Sequence, residues 1–143
     1  MGRIGPVRAP ALFILALALS LAACGGEKGD GGKVAGSCAV QGNPVKLPGA
    51  LAGFPIPEGG RINATRTDPA GNTIYRGVLP GKLKDLRGYY EAQLPTHGYK
   101  LGEGDAEDHE AEADFRGHGG EGHFKLNDLL GCTDAVRLEV ALR

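Results

Sequence analysis

Hydrophobic and polar positions divide the chain into three regions. An apolar run covers residues 11–23, and a stretch rich in glycine and charge follows it as far as residue 37. From residue 38 onward, apolar residues recur at the spacings of strands and of one helix. We therefore expect a leader at 1–23, a flexible Gly-rich tether at 24–37 and one folded domain at 38–143.

The segment 82–94 carries the clearest helical pattern. Its apolar residues fall at positions i, i+3, i+7 and i+11, which places them in a single stripe. They are Leu83, Leu86, Tyr90 and Leu94. Pro95 and Gly98 are expected to end the helix. Gly88 weakens the isolated helix by about 1 kcal/mol, so packing against other elements must stabilise it.

A hairpin is predicted before the helix. Strands at 61–66 and 73–79 flank a turn whose Asp, Pro, Gly and Asn favour chain reversal. The second strand carries apolar residues on both faces, which favours a position away from the sheet edge. Upstream, four prolines within 38–60 predict an extended strap around the domain, in which Phe54 helps to seal the core.

Alternating residues predict four more strands after the helix. The first is short, at 99–102, and two follow within 111–126. The last, at 136–142, has four apolar residues on one face and Arg137 and Glu139 pointing outward. The order β-β-α-β-β-β-β predicts an α+β fold of two layers, with a single helix packed on an antiparallel sheet.

The apolar run near the start has the features of a secretory signal. Arg3 and Arg8 provide a basic beginning, and small residues lie near the end of the run. As a helix, residues 11–23 would rise about 20 Å, against a hydrocarbon core of about 30 Å. The run is therefore too short to span a bilayer comfortably.

The run closes with Leu21-Ala22-Ala23-Cys24, which resembles the lipobox of bacterial lipoproteins. The resemblance implies cleavage before Cys24, diacylglycerol on its sulfur and often an acyl chain such as palmitate on its new amino group. It implies a lipid-anchored protein of a bacterial cell membrane or outer membrane, with its domain on the periplasmic or extracellular side. Ordinary secretion with cleavage after Ala22 is the alternative.

Composition limits the partners of the mature chain. Removal of 1–23 leaves 14 Lys and Arg against 17 Asp and Glu, a net charge of −3, which gives no reason to expect nucleic acid. Trp is absent and aromatic residues are 6% of the chain, so a stacking surface for sugars or single strands is not expected.

Three short motifs lie within residues 50–143. They are Phe54-Pro55-Ile56-Pro57-Glu58-Gly59, the pair Tyr89-Tyr90, and Leu94-Pro95-x-x-Gly98-Tyr99. With the closing hairpins, this region resembles small bacterial lipoproteins of uncharacterised function. The resemblance implies a compact sensor-like or accessory domain without an established active site.

Two cysteines remain when Cys24 carries lipid. Cys38 and Cys132 would lie in an oxidising compartment after export, where a structural disulfide is expected. Closing a loop of about 95 residues would stabilise the fold by roughly 4–5 kcal/mol in the chain-entropy model. A redox pair or metal thiolates are rival interpretations, but neither C-x-x-C nor an adjacent histidine supports them.

The segment 103–123 is rich in carboxylates and imidazoles. Seven of its first twelve residues are acidic, and no Lys or Arg lies among these twelve. The weak candidates for metal ligands are His109, His118, His123, Asp108 and Glu110. Because no zinc or calcium motif is present, the simpler interpretation is a solvated hairpin whose charge keeps an edge strand from pairing with neighbours.

An enzyme is not expected from this sequence. The only serine after Cys24 is Ser37, within the tether, so no serine nucleophile elbow can form. Two carboxylates would suffice for acid-assisted hydrolysis, and a small hydrolase is therefore one alternative. The sequence favours a lipid-anchored, non-catalytic binding or accessory module for an envelope protein or a small ligand, without a cofactor. A divalent-metal-binding lipoprotein is the other alternative.

Overall fold

The computed structural model of the protein describes residues 32–143. The predicted leader at 1–23, the lipidation site Cys24 and the tether residues 25–31 lie outside the described residues. The described elements are a 3-10 turn (Gly49–Leu51), β1 (Arg61–Thr67), β2 (Thr73–Pro80), α1 (Leu83–Thr96), β3 (Tyr99–Glu107), β4 (Glu110–Gly117), β5 (Gly120–Asp128) and β6 (Ala135–Leu142). Among these residues, no helix has the length and apolar character needed to cross a bilayer.

The fold is the predicted α+β architecture of two layers. All six strands form one antiparallel sheet in the order β1-β2-β6-β5-β4-β3, and α1 packs on one face of it. The last strand in sequence, β6, lies between β2 and β5 and joins the first hairpin to the β3–β5 meander. This central position accounts for the dense apolar pattern of β6, because both of its faces are covered.

Helix α1 buries the predicted stripe and continues beyond its predicted end. Leu83, Leu86, Tyr90 and Leu94 are all buried. Pro95 was expected to end the helix but lies inside its last turn. Pro95 has no N–H to donate to the carbonyl of Glu91, so the helix lacks one backbone hydrogen bond near its end. His97 N–H donates to Gln93 O at 3.1 Å, and Gly98 then leaves the helix with a left-handed φ of 82°.

The proline-rich strap contributes to the core, as predicted. Leu51 is fully buried, and the ring of Phe54 lies under the helix among four other aromatic rings. The centroid of Phe54 is 5.4 Å from that of Tyr90 and 5.3 Å from that of Phe115. The strap therefore closes one end of the layer between α1 and the sheet.

Strand β3 is longer than the sequence predicted. It extends to Glu107 instead of ending near Gly102, with an irregular register between Leu101 and Gly104. The alternation of side chains between the two faces of the strand is interrupted at this irregularity. A search for residues that alternate with a period of two therefore does not detect the second half of the strand. The acidic residues of this half form a strand because they pair with β4, a contact that their own sequence does not indicate.

Arg137 and Glu139 point outward from the core, as predicted, but both are largely buried. Both lie on the sheet face opposite α1, here called the outer face, but Arg137 is only 8% exposed and the Glu139 side chain only 16%. Part of the outer face is covered by residues 32–37. The strand pattern could not show that another segment crosses this face.

Residues 32–37 were predicted as tether and instead contact the domain. Val34 N–H donates to Asp128 O at 3.0 Å, and Leu130 N–H donates to Val34 O at 2.8 Å. Arg137 donates to Ala35 O beside them. Within the described residues, contacts with the domain therefore include part of the segment before residue 38.

Candidate functional site

The outer face carries a row of opposite charges that crosses four strands. In register across the sheet lie Arg76 on β2, Glu139 on β6, Lys125 on β5 and Glu112 on β4. Arg76 pairs with Glu139 at 2.7 Å, and Lys125 lies 3.8 Å from Glu112. Such cross-strand pairs stabilise the sheet and fix its register.

A second group on this face surrounds His123. Its Nδ1 lies 2.9 Å from Asp114 Oδ1, and its Nε2 lies 3.4 Å from Glu112 Oε2. Arg143 donates to Asp114 Oδ2 at 2.9 Å. The hydrogen bond from His123, followed by that from Arg143, holds the pKa of Asp114 below its ordinary value. Both ring nitrogens of His123 thus face carboxylates, and the group is a network of polar side-chain contacts.

The other two histidines proposed as metal ligands lie at opposite ends of β4. His109, in the β3–β4 turn, places Nδ1 2.9 Å from Asp128 Oδ2. His118, in the β4–β5 turn, packs its ring 4.7 Å from that of Tyr99, and its Nε2 lies 2.8 Å from His97 O. Nine residues of extended chain place these turns roughly 30 Å apart.

The predicted metal ligands are therefore not brought together. Glu110 pairs with Lys125 at 2.7 Å, and Asp108 is exposed in the β3–β4 turn. Across residues 32–143, no group of three or more His, Cys, Asp or Glu side chains is arranged to hold a metal ion. The geometry of the described residues does not favour the metal-binding alternative.

Cys38 and Cys132 form a disulfide, with their Cα atoms 5.5 Å apart. The bond ties the N-terminal side of the domain to the loop between β5 and β6, next to the backbone pairing of Val34. It therefore holds Cys38 close to the β5–β6 loop, beside the segment that covers part of the outer face.

The acidic segment divides into a paired half and an unpaired half. Glu110, Glu112 and Asp114 on β4 all contact Lys125, His123 or Arg143. The acidic residues of β3 and its turn are exposed, and none of them forms an ion pair with a described residue. They are Glu103, Asp105, Glu107 and Asp108. Negative charge is thus left uncompensated along one edge of the molecule.

Strand β3 is that edge of the sheet. It pairs with β4 on one side, and no strand within residues 32–143 pairs with its other side. The N–H of Ala106, on this strand, donates to Asp105 Oδ1 at 2.8 Å. The edge therefore presents backbone groups that could pair with another chain.

A groove runs between α1 and this edge. Two adjoining hollows of about 210 Å³ and 350 Å³ share Arg87 and Ala111 in their walls. Small residues form the sheet side of the groove: Gly104, Ala106, Ala111 and Ala113. Exposed parts of Lys84, Arg87 and Glu91 form the helix side, where Arg87 donates to Glu91 at 2.8 Å. The groove exists because these small sheet residues do not fill the space below the helix.

No family model, curated protein or solved structure matches this chain. The function must therefore be argued from the chain's own residues and their arrangement.

Sequence reasoning found the acidic segment but missed the groove beside it. The signal was present as glycine and alanine at every inward position of the second half of β3 and the first half of β4. Ala111 and Ala113 alternate with acidic residues, and this alternation predicts that they lie on the buried face of a strand. Their small size became informative only when the structure placed them opposite Gly104 and Ala106 under the helix.

Proposed function

We propose that this protein is a lipid-anchored module of the bacterial cell envelope that binds a protein partner and has no catalytic role. The anchor is supported by the sequence Leu21-Ala22-Ala23-Cys24. The single observation that carries the binding role is the groove between α1 and β3. It lies beside a strand edge that pairs with no other strand within residues 32–143.

The alternatives have less support from the geometry. The larger of the two hollows has Glu107, Asp108 and Glu110 among its lining residues but no histidine, and Glu110 is already paired with Lys125 at 2.7 Å. A hydrolase would need an acid and a base held at a sheltered reaction centre. An extended groove at a strand edge suits recognition of a polypeptide better.

The binding role is tested by photo-crosslinking in the cells that express the protein. Lys84, on the helix side of the groove, is replaced by p-benzoylphenylalanine. A matched variant carries the same amino acid in place of Glu58, an exposed residue before β1. Illumination should give a discrete protein adduct from position 84 and none from position 58. Absence of an adduct from position 84, or equal adducts from both, would contradict the proposal.

A further inference from the structure

We infer that the partner adds an extended, basic segment as a seventh strand on the free edge of β3, with its alternate side chains in the α1–β3 groove. This inference rests on the proposed binding function and specifies the chemistry of the partner. It combines three observations on the part of the chain that the structure describes: an unpaired strand edge, a groove lined by small residues and a line of uncompensated carboxylates.

The backbone of β3 provides the pairing surface. Antiparallel partners exchange hydrogen bonds at every second residue, so the remaining groups of an edge strand point away from the sheet. We assign the Ala106 amide to these groups, because its N–H donates to the adjacent Asp105 side chain. That bond is exposed, and an incoming carbonyl oxygen can replace the carboxylate oxygen as acceptor.

The two faces of β3 specify alternate side chains of the added strand. Gly104 and Ala106 point toward the helix layer, opposite Ala113 and Ala111 of β4. Side chains of an added strand on this face would enter the groove, where small apolar groups such as valine fit. Side chains on the other face would lie beside Asp105 and Glu107.

The negative charge of β3 favours lysine or arginine at the positions of the added strand that lie on that other face. Asp105 and Glu107 are exposed and have no cationic partner among the described residues, in contrast to Glu110 and Glu112 opposite them. A basic strand would compensate this charge, while a second copy of β3 would add more of the same sign. The carboxylates therefore exclude edge-to-edge pairing of two copies and attract a basic partner.

The expected ligand is thus a segment in which small apolar and basic residues alternate. The probe is an end-blocked octapeptide of alternating lysine and valine, titrated into the full chain in nonionic detergent. The control peptides are one with alternating glutamate and valine and one with the same lysines and valines in two blocks. We expect the alternating lysine peptide to bind most tightly and to slow hydrogen exchange of the amides in 103–107.

Two variants of β3 separate the contribution of charge to peptide binding from the contribution of strand pairing. Asp105→Asn with Glu107→Gln should weaken binding about tenfold, because it removes both complementary charges. The matched control, Glu58→Gln with Glu121→Gln, removes the same charge away from β3 and should leave affinity unchanged. Ala106→Pro deletes an outward N–H and should abolish binding, while the melting temperature stays near that of the wild type.

Equal affinity of the lysine and glutamate peptides, or unchanged exchange in 103–107, would overturn the inference. If Ala106→Pro strongly lowers the melting temperature, the inference is still tested by the Asp105→Asn, Glu107→Gln variant and by the hydrogen-exchange measurement. The crosslink from position 84 distinguishes the two proposals. An adduct that persists in the Ala106→Pro chain means that a partner docks without adding a strand, whereas no adduct in any chain means that the binding function itself fails.

Discussion

Phe54 and Tyr90 place their ring centroids 5.4 Å apart, although one lies in the proline-rich strap and the other in α1. Both rings are buried. The ring centroid of Phe124, on β5, lies 6.3 Å from that of Phe54 and 5.0 Å from that of Tyr90. The strap, the helix and the sheet thus meet at one aromatic cluster. The position of the helix, and with it the width of the groove, depends on this contact.

Replacing Phe54 by alanine should therefore lower the free energy of unfolding by about 3–5 kcal/mol, the usual cost of a large aromatic cavity. Chemical denaturation measures the change. Leu130→Ala is the control, since Leu130 is 50% exposed and its loss should change stability by less than about 0.5 kcal/mol. Equal effects of the two substitutions would show that Phe54 does not join the strap to the core.

Tyr90 has the one buried side-chain polar atom without a hydrogen-bond partner within residues 32–143, its hydroxyl oxygen. Burial also raises the pKa of Tyr90 well above its ordinary value. Tyr90→Phe removes the unsatisfied group and keeps the ring, so it should raise the free energy of unfolding by about 1 kcal/mol. The control is Tyr99→Phe, which loses the 2.9 Å bond to Ala50 O and should destabilise. Destabilisation by Tyr90→Phe would mean that the hydroxyl has a partner.

The helix and the last strand were predictable from sequence because each carries its own periodic signal. The stripe through Leu83, Leu86 and Tyr90 needs no knowledge of its partner to identify the buried face. The length of β3 and the burial of Arg137 were not predictable in this way. Both depend on segments distant in sequence, β4 in one case and residues 32–37 in the other.

The candidate site was predictable only in part. Acidic residues on an edge strand were expected, and the structure places Asp105 and Glu107 there. The groove arises from the register of Gly104 with Ala113 and from the distance between the helix and the sheet. No local pattern encodes either of these relationships.

The ion pairs of Glu139 with Arg66 and Arg76 predict that the stability of the fold depends on pH. Burial raises the pKa of Glu139, but hydrogen bonds from Arg66 and Arg76 outweigh burial and lower the pKa below its ordinary 4.5. A carboxylate with a lowered pKa in the folded state stabilises the fold above its unfolded pKa, and this contribution is lost as pH falls through the folded pKa. Stability should therefore decrease below pH 4.5.

Glu139→Gln should reduce the slope of unfolding free energy against pH in that acid range. Denaturation at several pH values measures the slope, and Glu121→Gln, an exposed carboxylate on β5, is the control. A slope unchanged by Glu139→Gln would contradict the assignment.

The disulfide predicts a loss of stability on reduction. Cys38→Ser opens the loop to Cys132 and should lower the free energy of unfolding, by up to roughly 4–5 kcal/mol in the chain-entropy model. A reductant should lower the melting temperature of the wild type and leave that of the variant unchanged. Equal melting temperatures of the wild type in oxidising and reducing buffer would be inconsistent with a bond that ties residues 32–38 to the sheet.

The lipid anchor is the central claim of the proposed function, and the mass of the mature N-terminal peptide tests it most directly. Protein purified from the membranes of expressing cells is digested, and the peptide that begins at Cys24 is measured by mass spectrometry. The account predicts a peptide carrying diacylglycerol on the Cys24 sulfur, and it predicts that Cys24→Ser releases the protein from the membrane fraction. A soluble protein with an unmodified thiol at Cys24, or a chain that retains residues 1–23, would contradict it.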